Sequence, residues 1–432
     1  MHTACTRDLF PGVNLTCVTT EKFKTGCMTV NLISALSRDT AASFALLPSV
    51  LRRGTTEHPD MERLAAALDE LYGARIEPIV RKKGELQCTG FFADFPDSRF
   101  IPGGANILEE MAALVGSILL SPDTRDGILR PEYVESEKKN LIDDIRAGIN
   151  DKRGYSIDRL LEEMCVSEPF GVNKLGSEES ARDITPESLT AHYRKLLSES
   201  RIEIFYCGSA YPADVESALL GAFTHLPARV KTPSPSTEVT LYPSGGAPRR
   251  FTETLDVSQG KLAIGFRLGD AMKNPDYPAM SVFNSVYGGS PTSKLFLNVR
   301  ERLSLCYYAS SMLEKHKGVM LVSSGVDFSK FDAALNEILA QLGNVKRGDI
   351  SEWEFTSAKS TVITAIKAAM DRPAGLEDLY FDSAIAAVPY DPGELCEKAG
   401  NVTLERIIGI ASGIETDSIY FLAGKGGDGD DA

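Results

Sequence analysis

The same order of hydrophobic and polar patterns occurs twice along the chain. Near the N-terminus, the run "NLTCVTTEKFKTGCMTVNLIS" (residues 14–34) alternates apolar and polar positions, which predicts paired strands. The run "FTETLDVSQGKLAIGFRL" (residues 251–268) opens the second half in the same way. In both halves a helical pattern, further strands and long helices follow. This order predicts an α+β protein with a layer of strands and a layer of helices in each half.

Two successive helical patterns of the first half match two of the second half at a shift of 220 residues. The pattern "MAALVGSILL" from Met111 falls on "FDAALNEILA" from Phe331, and "PEYVESEKKNLIDDIRAGINDKRG" from Pro131 falls on "SEWEFTSAKSTVITAIKAAMDRPA" from Ser351. Any two amphipathic helices can be aligned by their period, but two helices and the turn between them are harder to match by chance. We therefore predict a duplicated α+β domain whose two copies face each other across a cleft.

The clearest break in composition lies between the two halves. Residues 228–250, "ARVKTPSPSTEVTLYPSGGAPRR", are rich in Pro, Ser, Thr and Gly and show no helical period. Such a composition is typical of an extended linker. We therefore predict a first domain at 1–227, a linker at 228–249 and a second domain at 250–432.

Composition and charge exclude several classes of partner. The chain of 432 residues has a formal net charge of −14, whereas nucleic acids and anionic membranes bind clustered Lys and Arg. No apolar run approaches the roughly eighteen residues that a membrane span needs, and no targeting signal is visible at the N-terminus. The eight cysteines are scattered and contain no Cys-x-x-Cys pair, which predicts reduced thiols in a cytoplasmic protein.

One helical pattern carries a residue that helices normally exclude. The stretch "SFALLPSVLRRGT" (residues 43–55) is typical of an amphipathic helix that ends at Gly54, but Pro48 lies in its interior. An interior proline removes a backbone hydrogen bond and costs about 3 kcal/mol. Either contacts within the fold make Pro48 tolerable, or this helix no longer has a role that would exclude a proline at this position.

Four stretches together resemble one protein family. They are "RRGT", "LDELYGARI", "GSEESARDITPESLTAHYRKLLSESRIEIFYCG" (residues 176–208) and "YGGSPTSKLFLNVRERLSLCYYASS" (residues 287–311). Their order and spacing resemble the pitrilysin, insulinase and mitochondrial processing peptidase family of zinc metallopeptidases over nearly the whole chain. This resemblance implies two homologous peptidase-like domains.

Active members of that family carry the inverted motif H-x-x-E-H, in which two His bind Zn²⁺ and the Glu activates the bound water. Counting back from the Gly-Thr pair, the resemblance places Ala45 and Ser49 at the two His positions and Pro48 at the Glu position. On a later helix, Glu137 matches a family glutamate and Asp144 falls at the third-ligand position. The resemblance thus implies a degenerate zinc motif that binds no metal. A helix that no longer has to position zinc ligands can carry Pro48.

A different alignment cannot restore the zinc site. The chain has five His, and no two of them are spaced as His-x-x-x-His; they are His2, His58, His192, His225 and His316. We also expect the proline to disturb the helical backbone, so that the helix kinks or starts late around Ala45 to Pro48.

The second domain keeps a pair of residues that the family uses on substrate. By resemblance, Arg300 and Tyr307 in "NVRERLSLCYY" are the Arg and Tyr that bind the substrate backbone and stabilise the tetrahedral intermediate. One position departs from the family, because Ser304 stands where a Gly is usual, so the local turn could differ. The structural alternative is that Arg300 forms an ordinary ion pair and Tyr307 packs in the sheet.

Three hypotheses for function remain open. In the first, the chain is the non-catalytic, substrate-binding subunit of a heterodimeric bacterial zinc peptidase, without a cofactor of its own, and supplies Arg300 and Tyr307 in trans to a zinc-binding homologous subunit that cleaves peptides. In the second, it is an inactive homologue that acts as a binding or scaffold protein, possibly a homodimer. In the third, it is an enzyme that uses no zinc, but no Ser-His-Asp or Cys-His arrangement is visible.

Overall fold

The computed structural model describes residues 3–103, 106–229, 235–240 and 247–425. In the first half of the chain the strands are β1 (Thr3–Phe10), β2 (Val13–Thr19), β3 (Thr25–Ala35), β4 (Arg75–Lys83), β5 (Leu86–Pro96), β6 (Thr124–Arg125), β7 (Ile128–Leu129) and β8 (Arg201–Gly208). In the second half they are β9 (Arg249–Leu255), β10 (Gly260–Arg267), β11 (Cys306–Glu314), β12 (Val319–Val326) and β13 (Glu415–Gly424).

The helices of the first half are α1 (Ala41–Leu51), α2 (Met61–Glu70), α3 (Ile107–Leu120), α4 (Pro131–Ala147), α5 (Lys152–Met164), α6 (Glu178–Arg182), α7 (Pro186–Glu199) and α8 (Pro212–Ala222). Those of the second half are α9 (Tyr277–Tyr287), α10 (Phe331–Lys346), α11 (Glu352–Ala369), α12 (Pro373–Ala386), α13 (Pro392–Asn401) and α14 (Leu404–Ser412). A π-helix spans Leu295–Arg302. The predicted α+β class is confirmed.

The two main sheets have the same strand order. The larger sheet runs β1-β2-β8-β3-β5-β4, and the smaller runs β9-β13-β10-β12-β11. Leaving out β1, each sheet begins with a parallel pair, β2 with β8 and β9 with β13, and continues with antiparallel pairs. Because five strands agree in order and direction, the predicted duplication is confirmed, and β1 has no counterpart among the described strands of the second copy.

Each sheet has helices on both faces. On one face of the six-stranded sheet, residues of β2, β3, β5 and β8 share an apolar core with α1, α3, α7 and α8. On one face of the five-stranded sheet, β10 and β12 share a core with α9, α10 and α14. In the part of the chain that the structure describes, one helix covers the opposite face of each sheet, which explains why β3 and β12 are buried along nearly their whole length.

Each covering helix comes from the other half of the chain. One compact unit is formed by the described residues of 1–146, 172–236 and 369–385, and the other by those of 147–171, 237–368 and 386–432. Helix α5 thus packs on β10 and β13, and α12 packs on the six-stranded sheet. The compact units therefore differ from the predicted contiguous domains 1–227 and 250–432, because two segments are exchanged to cover the apolar faces.

The predicted linker at 228–249 is described only in part. Residues 230–234 and 241–246 lie outside the described residues, and 235–240 form neither a helix nor a strand. Within this stretch, the Glu238 carbonyl accepts a hydrogen bond from Lys317 Nζ at 2.7 Å.

Candidate functional site

Helix α1, which carries the degenerate motif, runs without interruption through Pro48. It begins at Ala41 and ends at Leu51, so the expectation of a late start around Ala45 is wrong. The Phe44 carbonyl lies four residues before Pro48, and in a regular helix it would accept the N–H that proline lacks. Thr89 Oγ1 donates to this carbonyl at 3.0 Å.

Strand β5 therefore supplies what the proline removes. Thr89 is buried on β5, and Gln87 on the same strand donates from Nε2 to the Ala41 carbonyl at 3.0 Å. A buried carbonyl without a partner is costly, so the Thr89 hydroxyl makes the interior proline tolerable, whereas Gln87 ties the first residue of α1 to β5. The sequence analysis missed both residues, because nothing in a strand pattern indicates a hydrogen bond to a helix carbonyl. A bend of the helix axis stays a prediction.

The turn after α1 explains the Gly-Thr pair. A Cβ on Gly54 would lie 2.7 Å from the Pro59 carbonyl, closer than side chains tolerate, so a glycine is needed here. Thr55 is fully buried, and its N–H donates to the His58 carbonyl at 2.7 Å. The Gly-Thr turn is therefore fixed by close packing and a buried backbone hydrogen bond, next to a helix whose motif positions carry no His or Glu.

The positions of the zinc ligands hold no suitable ligand. The methyl group of Ala45 and the ring of Pro48 are buried and cannot bind a metal, and Ser49 is half-buried. Asp144 on α4 is exposed. Within residues 3–103, 106–229, 235–240 and 247–425, no group of three or more His, Cys, Asp or Glu side chains could hold a metal ion. The residues at this site do not fit zinc.

Glu137, the remaining family glutamate, is held by a cation of the protein itself. Arg53 Nη1 lies 2.8 Å from Glu137 Oε1, and the Arg53 guanidinium lies over the ring of Tyr133 at 5.2 Å from its centroid. Asn140 Nδ2 donates to the other carboxylate oxygen at 3.0 Å. The carboxylate of Glu137 is thereby committed to structure rather than to a metal.

The segment that leads to Arg300 and Tyr307 departs from regular backbone three times. First, the helix that carries Arg300 is a π-helix, and the Leu303 N–H donates to the Asn298 carbonyl five residues earlier at 3.1 Å. Helical segments of this kind are rare and often occur at functional sites. The sequence pattern gave no indication of this geometry.

Second, Ser304 adopts a left-handed conformation with φ of 49°. This conformation favours glycine and strains other residues. The turn at this position therefore has the conformation that favours glycine, even though the residue is a serine. Lys330 Nζ donates to the Ser304 carbonyl at 3.1 Å and holds the turn from outside.

Third, Tyr307 occupies a β-bulge. Cys306 lies opposite Val326 and Tyr308 opposite Gly325, so Tyr307 has no opposite residue on β12. Its side chain is 61% exposed, and its hydroxyl donates to Asp327 Oδ1 at 3.2 Å. Bulges are often used to re-aim a side chain beside an active site. The expectation that Tyr307 could pack in the sheet does not match this exposure.

Arg300 has partners of its own within the chain. Its Nη1 lies 3.4 Å from Glu301 Oε1, and its guanidinium lies 4.7 Å from the centroid of the Phe296 ring. The ion pair is the one that the structural alternative anticipates. Arg300 and Tyr307 thus have different partners. Cys306, which lies beside Tyr307, is half-buried, and burial raises the pKa of its thiol, as expected for a packed rather than a nucleophilic cysteine.

Known proteins resemble the chain in sequence. The family described as "Peptidase M16 inactive domain" matches residues 183–362. A Bacillus subtilis (strain 168) protein named "Probable inactive metalloprotease YmfF" is 33% identical over 426 residues, which cover 96% of this chain and 97% of that protein.

Solved structures share the fold. A conserved protein from Enterococcus faecalis V583 superposes with a TM-score of 0.89 at 27% identity and covers 99% of this chain and 100% of its own. A peptidase M16 inactive domain from Pseudomonas fluorescens superposes with a TM-score of 0.81 at 15% identity, with 98% of each chain covered.

Among the helices of the described residues, none is both long and apolar enough to cross a bilayer.

Proposed function

Because this chain belongs to the peptidase M16 family as an inactive member, we propose that it is the non-catalytic, substrate-binding subunit of a heterodimeric zinc metallopeptidase. Its partner is a homologous chain that carries the intact zinc motif, and the substrate is a peptide. In this complex Arg300 and Tyr307 act in trans on substrate bound at the partner's zinc.

The backbone around Arg300 and Tyr307 is the observation that carries this proposal. A π-helix, a left-handed Ser304 and a bulge at Tyr307 follow one another within residues 295–307. Strained or rare backbone is costly and persists mainly where function uses it. The first domain has lost its ligands at Ala45, Pro48 and Ser49, whereas this segment keeps its unusual form. That contrast favours a chain that contacts the substrate but does not bind the metal.

The chemistry asked of the two side chains is hydrogen bonding to a developing oxyanion. A guanidinium offers fixed donors and a phenol offers one, and neither group needs to react. The Tyr307 hydroxyl is exposed, and its present acceptor, Asp327 Oδ1, can be exchanged for substrate. Arg300 is 41% exposed on its side chain, and its surface pair with Glu301 is worth about 0–1 kcal/mol.

The test is reconstitution with a homologous chain from the same genome that carries H-x-x-E-H. Each chain alone should hydrolyse a fluorogenic peptide library slowly or not at all, and the mixture should be active. Losing one oxyanion donor typically costs about a hundred- to a thousandfold in rate. Arg300→Ala or Tyr307→Phe should therefore lower kcat by that order, while co-elution and zinc content of the pair stay unchanged.

Two neighbours provide matched controls. Arg302 lies in the same π-helix and pairs with Glu337 at 3.8 Å, and Tyr308 follows Tyr307 on β11. Arg302 is exposed, whereas Tyr308 is half-buried with its ring under the Arg153 guanidinium. Arg302→Ala and Tyr308→Phe should leave hydrolysis within about threefold of the unchanged pair, because neither change removes a proposed oxyanion donor and Tyr308→Phe keeps the ring. Full activity of the Arg300→Ala, Tyr307→Phe double variant would show that the chain does not assist chemistry.

A second candidate is a binding or scaffold protein, possibly a homodimer, that has left proteolysis. The observation that favours it is the internal pairing of both residues, Arg300 with Glu301 and Phe296, and Tyr307 with Asp327. On this reading the mixture would form a complex whose activity does not depend on Arg300 or Tyr307. We place either form in the cytoplasm, on the ground that the eight cysteines are scattered and include no Cys-x-x-Cys pair.

A further inference from the structure

The six-stranded sheet aligns four cysteines as two cross-strand pairs. Cys5 on β1 lies directly opposite Cys17 on β2, and Cys27 on β3 lies directly opposite Cys207 on β8. Opposite residues of an antiparallel pair point to the same face with Cβ atoms about 4.5–5.5 Å apart. We propose that Cys5 and Cys17 form a peroxide-responsive dithiol that closes reversibly to a disulfide between β1 and β2.

Exposure distinguishes the two pairs. Cys5 is half-buried, whereas Cys17, Cys27 and Cys207 have no accessible surface. Cys5 and Cys17 also pack into the same core, on the face of the sheet that α1, α3, α7 and α8 cover, which confirms that their side chains share a face. An oxidant can therefore reach one thiol of the first pair and neither thiol of the second.

The position of the strands distinguishes the pairs further. A disulfide needs Cβ atoms about 3.5–4.5 Å apart, so opposite cysteines must approach by roughly 1 Å. Among the described strands, β1 lies at the edge of the sheet beside β2, and its register already shifts between Asp8 and Phe10. Strands β3 and β8 are each hydrogen-bonded on both sides. The required movement is easy for Cys5 and hard for Cys27.

The two thiols have different roles in the oxidation. A peroxide oxygen transfers to the Cys5 sulfur, which gives the sulfenic acid and one water. The Cys17 sulfur then attacks the Cys5 sulfur, the S–S bond forms, and the hydroxyl leaves with the Cys17 proton as a second water. Burial raises the pKa of Cys17 to about 12 against the opposing effect of the Thr19 hydroxyl, and Cys17 has no accessible surface, so peroxide reaches Cys5 first and Cys17 is the second thiol to react.

The test is disulfide mapping on the folded full chain. The protein is treated with one equivalent of hydrogen peroxide, blocked with N-ethylmaleimide and digested without reductant for mass spectrometry. The Cys5–Cys17 peptide should exceed the Cys27–Cys207 peptide at least tenfold and disappear with dithiothreitol. Amide exchange of residues 3–10 should slow at least tenfold on oxidation, because the edge strand becomes tethered.

Two variants separate the steps. Cys17→Ser should trap Cys5 as a sulfenic acid that dimedone labels, and Cys5→Ser should abolish both the label and the cross-link. Unchanged far-UV circular dichroism in reductant shows that each variant is folded. If a variant does not fold, disulfide mapping of the unsubstituted chain decides whether Cys5 and Cys17 form the disulfide. Dimedone labelling of Cys5 without a cross-link in the unsubstituted chain would overturn the proposal. Equal cross-linking of both pairs would also overturn it, because it would mean that the whole sheet opens.

Discussion

At the scale of single residues, Thr89 is the side chain on which the interior proline of α1 depends. Its hydroxyl donates to the Phe44 carbonyl at 3.0 Å in a fully buried position. Thr89→Val keeps the shape and removes the donor, so the free energy of unfolding should fall by about 1–3 kcal/mol. Urea denaturation of the full chain measures the change.

Pro48→Ala provides the control, because an alanine restores the backbone N–H that the Phe44 carbonyl would accept in a regular helix. In that background Thr89→Val should cost less, with a coupling energy of about 0.5–3 kcal/mol in the double-mutant cycle. The hydroxyl also lies 3.3 Å from the Ile79 carbonyl, so a part of the cost should remain. Strictly additive effects would show that Thr89 does not compensate for the proline.

Residue identity predicted what the site has lost but not what replaces it. The absence of His and Glu at Ala45, Pro48 and Ser49 can be read directly from the motif. The compensation by Thr89 depends on β5 lying beside α1, and that neighbourhood is a property of the fold. In the same way, the left-handed Ser304 could not be predicted, because its conformation is imposed by the turn against the preference of the residue.

At the scale of elements, α12 is fixed to the six-stranded sheet by a buried ion pair. Arg81 Nη1 lies 2.8 Å and 2.9 Å from the two carboxylate oxygens of Glu377, which is 1% exposed, and Thr29 Oγ1 donates to the same carboxylate. Removing one partner of a buried pair costs about 3–5 kcal/mol. Because Arg81 keeps some contact with water, Glu377→Ala should fall at the low end of that range in urea denaturation.

Asp378 is the matched control for Glu377. It follows Glu377 on α12, lies 3.8 Å from the same arginine and is 65% exposed on its side chain. Exposed pairs contribute about 0–1 kcal/mol, so Asp378→Ala should be nearly neutral. Hydrogen exchange should also show loss of protection in α12 for Glu377→Ala alone. Equal effects of the two substitutions would contradict a buried anchoring role.

Element order was predictable because each strand and helix follows its own local period. The exchange of α5 and α12 was not, because the period of a helix indicates that one face is buried but not which sheet buries it. Each helix follows a turn, at Asp151 and at Asp371, and these two positions are themselves related by the shift of 220 residues. The duplication therefore extends to the exchange, and only the structure reveals on which sheet each helix packs.

At the scale of the whole molecule, the exchanged helices make each half of the chain depend on the other. The half 1–229 lacks α12, so Val18, Phe205 and Cys207 lose the cover that Leu376 provides. The half 235–432 lacks α5 and Glu168. Burial alone would raise the pKa of Glu168, but hydrogen bonds from Arg267 and Lys317 lower it to about 2, which marks a strongly stabilised buried anion.

Separately expressed halves should therefore be insoluble or should melt without a cooperative transition, and co-expressed halves should associate into a complex that melts cooperatively. Exposed apolar faces and the loss of Glu168 from beside the buried Arg267 are both severe defects. The control is the full chain cut by a protease at a site inserted between residues 229 and 235. This cut keeps both helices in place, so the melting temperature should stay within a few degrees of that of the intact protein. Differential scanning calorimetry makes the comparison. If either half alone melted cooperatively at the temperature of the intact chain, the exchanged helices would be accessory, and each contiguous half would be a complete folding unit.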